Sequence, residues 1–237
     1  MECSSCATAT ITRAPALDHA RHAVASCRRI CSPAPMKPLL MSLLLGLALS
    51  LAAAESKVPL VQPGKLVAHP DLKEPLGTGW TIKHGTWEVK AGELTIAEVP
   101  ADKHAAVLWH QVGLPSAIVQ CEFQFEGGRT FILGCDATNK HVGRLVITAK
   151  SAKLVEDSSE IKGKQPGQTL AEAALNLTPG QWYVARFEWQ GDRMAATVDG
   201  HPLLGQHATL AQAKARWWLA VSGAKVRVRN LQVWEGK

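Results

Sequence analysis

The chain has 237 residues, 46% of them hydrophobic, with 26 Lys and Arg against 20 Asp and Glu. From residue 55 onward the charges balance at 21 to 18, spread without a basic stripe, which removes the case for a nucleic-acid partner. That part is long enough for one domain with a sizeable core.

Residues 1–35 are rich in Ala, Ser and Arg and carry Cys3, Cys6, Cys27 and Cys31 in C-x2-C and C-x3-C pairs, a zinc-like spacing. No strand or helix pattern surrounds the pairs and an export signal follows them, so the expectation is a disordered extension without metal. Met36-Lys37-Pro38, the apolar run over 39–51, and the small residues Ala52 and Ala54 have the anatomy of a secretory signal peptide over 36–54. The run is short for a membrane span. The expected location is secreted or periplasmic, with no stable membrane insertion.

Residues 55–77 hold four prolines and no sustained periodicity, and read as an extended arm on the domain edge. A short strand over 80–84 precedes a hairpin in which Trp87, Val89, Leu94 and Ile96 alternate with polar residues about Ala91-Gly92. Residues 106–112 form the next strand. The stretch 117–135 organises the rest: Val119, Cys121, Phe123 and Phe125 alternate with Gln120, Glu122 and Gln124, and Phe131, Leu133 and Cys135 follow a Glu126-Gly127-Gly128-Arg129 turn. Read as a hairpin, this places Cys121 opposite Cys135. Export permits a disulfide between them, and two buried thiols fit equally well.

Strands are expected over 143–148 and 151–156, then a long charged loop over 157–174 with one helical turn near 170–175. A hairpin over 182–190 and 193–199 turns about Gly191-Asp192. A short helix over 207–213 precedes last strands over 216–222 and 225–234. About a dozen short strands, with turn signals every 8 to 12 residues, predict an all-β antiparallel sandwich over 78–237.

Trp80, the Gly85-Thr86-Trp87-Glu88-Val89 run, Gly92-Glu93-Leu94 and Cys121-Glu122-Phe123-Gln124-Phe125 resemble the opening of the DUF1080 family, the 3-keto-disaccharide hydrolase domain. Gly180-Gln181-Trp182-Tyr183, Gly191-Asp192-Arg193, Val198-Asp199-Gly200 and 226–231 resemble its second half. The resemblance implies a concanavalin A-like, laminin-G-like jelly roll, of a kind common in secreted planctomycete proteins, and a hydrolase or binding activity toward a (3-keto) disaccharide or related glycan. The family's Gly-Asn-Ser-Gly-Ile-Tyr-like stretch is replaced here by 127–133, which implies an altered sugar site.

Carbohydrate commonly lies on the outer face of one sheet in such sandwiches, so residues out of phase with the core are the candidates. Glu122 and Glu188 are the candidate catalytic carboxylates of a glycosidase, which needs two about 5 to 9 Å apart. Their alternative is ordinary pairing with Arg144 and Arg186. Gln124, Arg144 and Arg186 are candidate ligand contacts. Trp109 is read either as stacking platform or as core, and His110 as a proton donor or acceptor near neutral pH. Of Trp217 and Trp218, neighbours on one strand, one enters the core and the other faces a binding surface or a covering loop. Asp136, Asn139 and His141 are thin for a structural calcium ion, and no other metal or cofactor is expected. The competing reading is a structural module of the cell envelope that contacts another protein.

Overall fold

The structure is a computed structural model and describes residues 59–157 and 167–237. The expected extension over 1–35, the expected signal peptide over 36–54 and part of the expected loop lie outside the described residues. The first strands are β1 (Pro63–Ala68), β2 (Trp80–His84), β3 (Thr86–Lys90), β4 (Glu93–Ala97) and β5 (Ala106–His110). The middle of the chain gives β6 (Ser116–Phe125), β7 (Gly128–Asp136), β8 (His141–Ile147), β9 (Ser151–Glu156) and β10 (Gln168–Ala174). The last are β11 (Tyr183–Gln190), β12 (Arg193–Val198), β13 (His201–Gln206), β14 (Arg216–Gly223) and β15 (Val226–Gly236). Two 3₁₀ turns, Pro100–Asp102 and Ala208–Ala211, are the helical segments among the described residues.

All pairings are antiparallel. The first sheet runs β13-β12-β11-β6-β15-β4-β3, with β1 added along β15. The second runs β10-β9-β8-β7-β14-β5-β2. Alternation decides which side chains enter the space between them: Val119, Cys121, Phe123 and Phe125 from β6 meet Phe131, Leu133 and Cys135 from β7 in one core. The Phe123 and Phe131 rings stack across it with centroids 5.1 Å apart, and burying each ring contributes roughly 1.5–3 kcal/mol. Tight turns close the hairpins. Ala91-Gly92 and Asp199-Gly200 take positive φ at both residues, the backbone of the two-residue turn that matches strand twist.

The expected 117–135 hairpin is corrected. Both segments are strands, but β6 pairs with β11 and β15, whereas β7 pairs with β14 and β8. The Glu126-Gly127 connection carries the chain from one sheet to the other. The Glu126 and Gly128 amides both donate to the carbonyl of Lys225, at 3.0 and 2.9 Å. A Cβ at Gly128 would meet Val226 at 2.5 Å, so this corner needs glycine. Cys121 and Cys135 therefore face the core from opposite sheets as free, buried thiols, and the disulfide reading falls. Burial pushes the Cys121 thiol far up and the Cys135 thiol up to about 12.

The expected helical turn near 170–175 is also corrected. Residues 168–174 form β10, an edge strand that pairs with β9. Its partner register runs Gln168 to Glu156 through Ala174 to Ser151 with one irregularity.

Candidate functional site

The outer face of the second sheet carries a hydrophobic cluster separate from the core: Val107, Trp218 and Ala220, with Trp109 and Ile132 packed against it. These come from the middle strands β5, β7 and β14, each one residue out of phase with core neighbours Leu108, Leu133 and Leu219. Gly134 lies opposite Trp218, and a Cβ there would stand 2.2 Å from the indole. The glycine lets the ring lie down on the sheet. Over this floor is an open cavity of about 610 Å³, lined also by Lys83, His84, His104, Ala105, His141 and Arg144.

Asp136 fixes the groove from below. It is fully buried, and its carboxylate accepts from Trp218 Nε1 at 2.6 Å, His141 Nδ1 at 2.7 Å and Arg216 Nε at 2.9 Å. Charge-assisted bonds of this kind set rotamers firmly. The bond to Asp136 outweighs desolvation and raises the His141 pKa. Arg216 lies with its guanidinium carbon 3.9 Å from the Trp109 ring centroid, and the Lys83 ammonium is 4.3 Å from the same centroid. Arg144 stands 3.1 Å from Asp157.

The residues singled out in the sequence fall into three places. Trp109, Arg144 and Trp218 come together at this groove. His110 and Trp217 point into the core, where both contact Trp80, at ring distances of 4.6 and 5.3 Å. Burial lowers the His110 pKa. Glu122, Gln124, Arg186 and Glu188 lie on the outer face of the opposite sheet. There Glu122 is opposite Val184, and Glu188 sits four residues further along β11, opposite Ile118. At about 3.4 Å per residue that separates their backbones by roughly 13 Å.

Each of these four has its own partners. Glu122 accepts from Arg229 at 2.8 Å and Asn230 at 2.6 Å. Desolvation opposes its ionisation, but the Asn230 and Arg229 hydrogen bonds prevail and hold its pKa below the usual carboxylate range. Glu188 accepts from Arg186 at 2.7 Å and from the Val61 amide at 2.8 Å, tying the arm down. Gln124 donates to the Gly180 carbonyl at 2.5 Å.

Sequence reasoning missed Lys83, His84, His104 and Ile132 in the groove and weighed Asp136 and His141 only as calcium ligands. Gly134, interrupting the apolar run from Phe131 to Cys135 within β7, was the available signal of close approach. Among the described residues no group of three or more His, Cys, Asp or Glu is arranged to hold a metal ion, and no helix is long and apolar enough to cross a membrane.

No protein-family model and no curated protein sequence matches this chain. Among solved structures it is similar to carbohydrate binding module CBM66 from Bacillus subtilis, at 15% identity and TM-score 0.55 over 66% of this chain and 96% of that one. A Bacillus subtilis protein of unknown function with a galectin-like fold aligns at 12% identity and TM-score 0.57, over 74% and 98%. The family GH16 endo-beta-1,3(4)-glucanase SCLam aligns at 12% and 0.56, over 75% and 95%. These likenesses show the fold, an all-β antiparallel sandwich, and it is consistent with a concanavalin A-like jelly roll.

Proposed function

We propose that the protein is a carbohydrate-binding sandwich that holds a sugar chain in the groove over Trp109 and Trp218, without cleaving it. The observation that carries this reading is the lining itself: indole and aliphatic surface with convergent polar side chains, and no Asp or Glu among the described residues that form it. Cleavage by the usual route needs an acid and a second carboxylate at the scissile bond. Asp136 lies beneath the floor with three donors on it. The fold is shared with a carbohydrate binding module and with a glucanase, so it accommodates either role.

The test is a glycan array and calorimetric titration on the full chain, with product analysis of every glycan that binds. The expected outcome is binding without products, weakened by Trp109→Ala and unchanged by Glu122→Gln. Products lost in Glu122→Gln or Glu188→Gln would favour the second reading, a hydrolase of the 3-keto-disaccharide type. The implied planctomycete kinship belongs to that finer reading and rests on the sequence resemblance, and the secreted or periplasmic location rests on the signal-peptide pattern over 36–54. Failure of every glycan would leave the envelope protein-contact module.

A further inference from the structure

We propose that the groove selects an acidic glycan, one whose sugar rings carry carboxylates, over a neutral one. The inference rests on the glycan-binding reading and follows from a count of hydrogen-bonding capacity. Among the described residues the polar side chains that line the groove are Lys83, Arg144, His84, His104, His141 and the indole of Trp109, while the Trp218 indole spends its one donor on Asp136. Lysine, arginine and tryptophan are donors with no acceptor, and histidine offers at most one lone pair. Among the described residues no Asp, Glu, Asn, Gln, Ser, Thr or Tyr lines the groove, and the strand carbonyls of its floor are taken up in the ladders between β5, β14 and β7. A neutral sugar presents hydroxyls, each of which brings a proton that needs an acceptor. A carboxylate brings acceptors alone.

The charges point the same way. Asp136 and Asp157 are buried beneath the lining, the first against Arg216 and His141, the second beside Arg144. Among the described residues no carboxylate pairs with Lys83, whose ammonium lies over Trp109. Asp102 is an acidic side chain at the rim, 3.9 Å from His84, and its carboxylate already accepts from the Gly85 amide at 2.8 Å. An incoming anion therefore meets donors and positive charge over a ring-sized apolar floor, where field is concentrated and water is partly displaced. The indole floor distinguishes a sugar acid from a bare inorganic anion, which has no apolar face to lay on it.

The experiment is calorimetry on the full chain with trigalacturonate, a hyaluronan hexasaccharide, galactotriose as the uncharged counterpart, and hexathymidylate, each at low and high salt. The expected result is that an acidic sugar binds about tenfold or more tighter than galactotriose at low salt, with the advantage shrinking as salt screens it. Lys83→Gln, an exposed change that leaves the buried ion pairs intact, lowers affinity for the acidic sugar by a larger factor than affinity for galactotriose, and an equal loss for both would overturn the acidic preference. If galactotriose or other neutral glycans bind as well as the acids or better, the acidic preference is overturned and the glycan-binding reading stands. If hexathymidylate outcompetes the sugars, or no glycan of either kind binds, both fall.

Discussion

On the outer face of the first sheet, carboxylates and cations lie side by side in the surface: Glu122 with Arg229, Glu188 with Arg186, Glu126 and Glu93 with Arg227. At the groove on the outer face of the second, the Asp136 carboxylate sits underneath and the cations and aromatic rings on top, while toward the β10 edge Lys153 and the exposed Glu172 pair side by side at 3.1 Å. The first arrangement is self-satisfied. Its Trp182 ring is covered by Arg229, at 4.1 Å from the centroid. The second leaves donors and apolar surface facing outward over a cavity. Both faces come from strands of the same alternating pattern and both bury a carboxylate, Glu188 on the first and Asp136 on the second, so what separates a receptive surface from a closed one is the cavity left open over the rings and cations.

The largest effect that would test this contrast is Asp136→Asn. Removing a buried charge that holds Arg216, Trp218 and His141 should cost about 3–5 kcal/mol, read as a shift of the urea midpoint. If it proves as mild as an exposed change on the first sheet, the buried anchor is not what sets the rings and cations around the cavity. Gly134→Leu comes next. Its side chain must displace the Trp218 ring or shift β7, at about 1–3 kcal/mol, and glycan binding should be lost even where the protein remains folded. The spectroscopic check is a change in Trp218 environment by fluorescence against a Trp218→Phe reference.

Two histidines sharpen the contrast by opposite responses to pH. His141 has a raised pKa in the folded state, so its contribution is complete below the unfolded value and fades as pH rises through the folded one. His110 has a lowered pKa, so stability from its neutral form is present above the unfolded value and fades as pH falls toward the folded one. Melting temperature against pH should therefore converge between wild type and His141→Gln on the alkaline side, and between wild type and His110→Gln on the acid side. Smallest of all is Glu122→Gln. Its ion pair with Arg229 is partly solvated, so the expected cost is below about 1 kcal/mol, with no change in binding. Reductant should leave the melting temperature unchanged, since Cys121 and Cys135 are unbridged.

Much of the architecture was legible because strand alternation is a local signal. The β3–β4, β8–β9 and β11–β12 hairpins all lie where turn residues and period-two patterns place them. What alternation does not carry is the identity of the neighbour. Phe123 and Phe131 face the core whether their strands lie side by side or across the sandwich, and the choice was made by the distant Lys225 carbonyl and Val226. The groove was legible in part for the same reason. The Trp217-Trp218 pair required one ring on each face, but only the register with β5 and β7 tells which. Lys83 and Asp136 are 53 positions apart in sequence, and no local pattern announces that the ring stacked by one shares a surface with the ring held by the other.

The last strand occupies an interior position. β15 bonds to β6 on one side and to β4 and then β1 on the other. A ribosome therefore releases the chain's middle strands long before the strand that joins them exists. Until residues 226–236 emerge, β6 and β4 expose open hydrogen-bonding edges, the feature most prone to wrong pairing. The first sheet can close only once β15 has left the ribosome, and its closure depends on contacts of high sequence separation, which form slowly. Loss of the closing residues should thus leave an aggregating fragment in place of a slightly shortened sandwich.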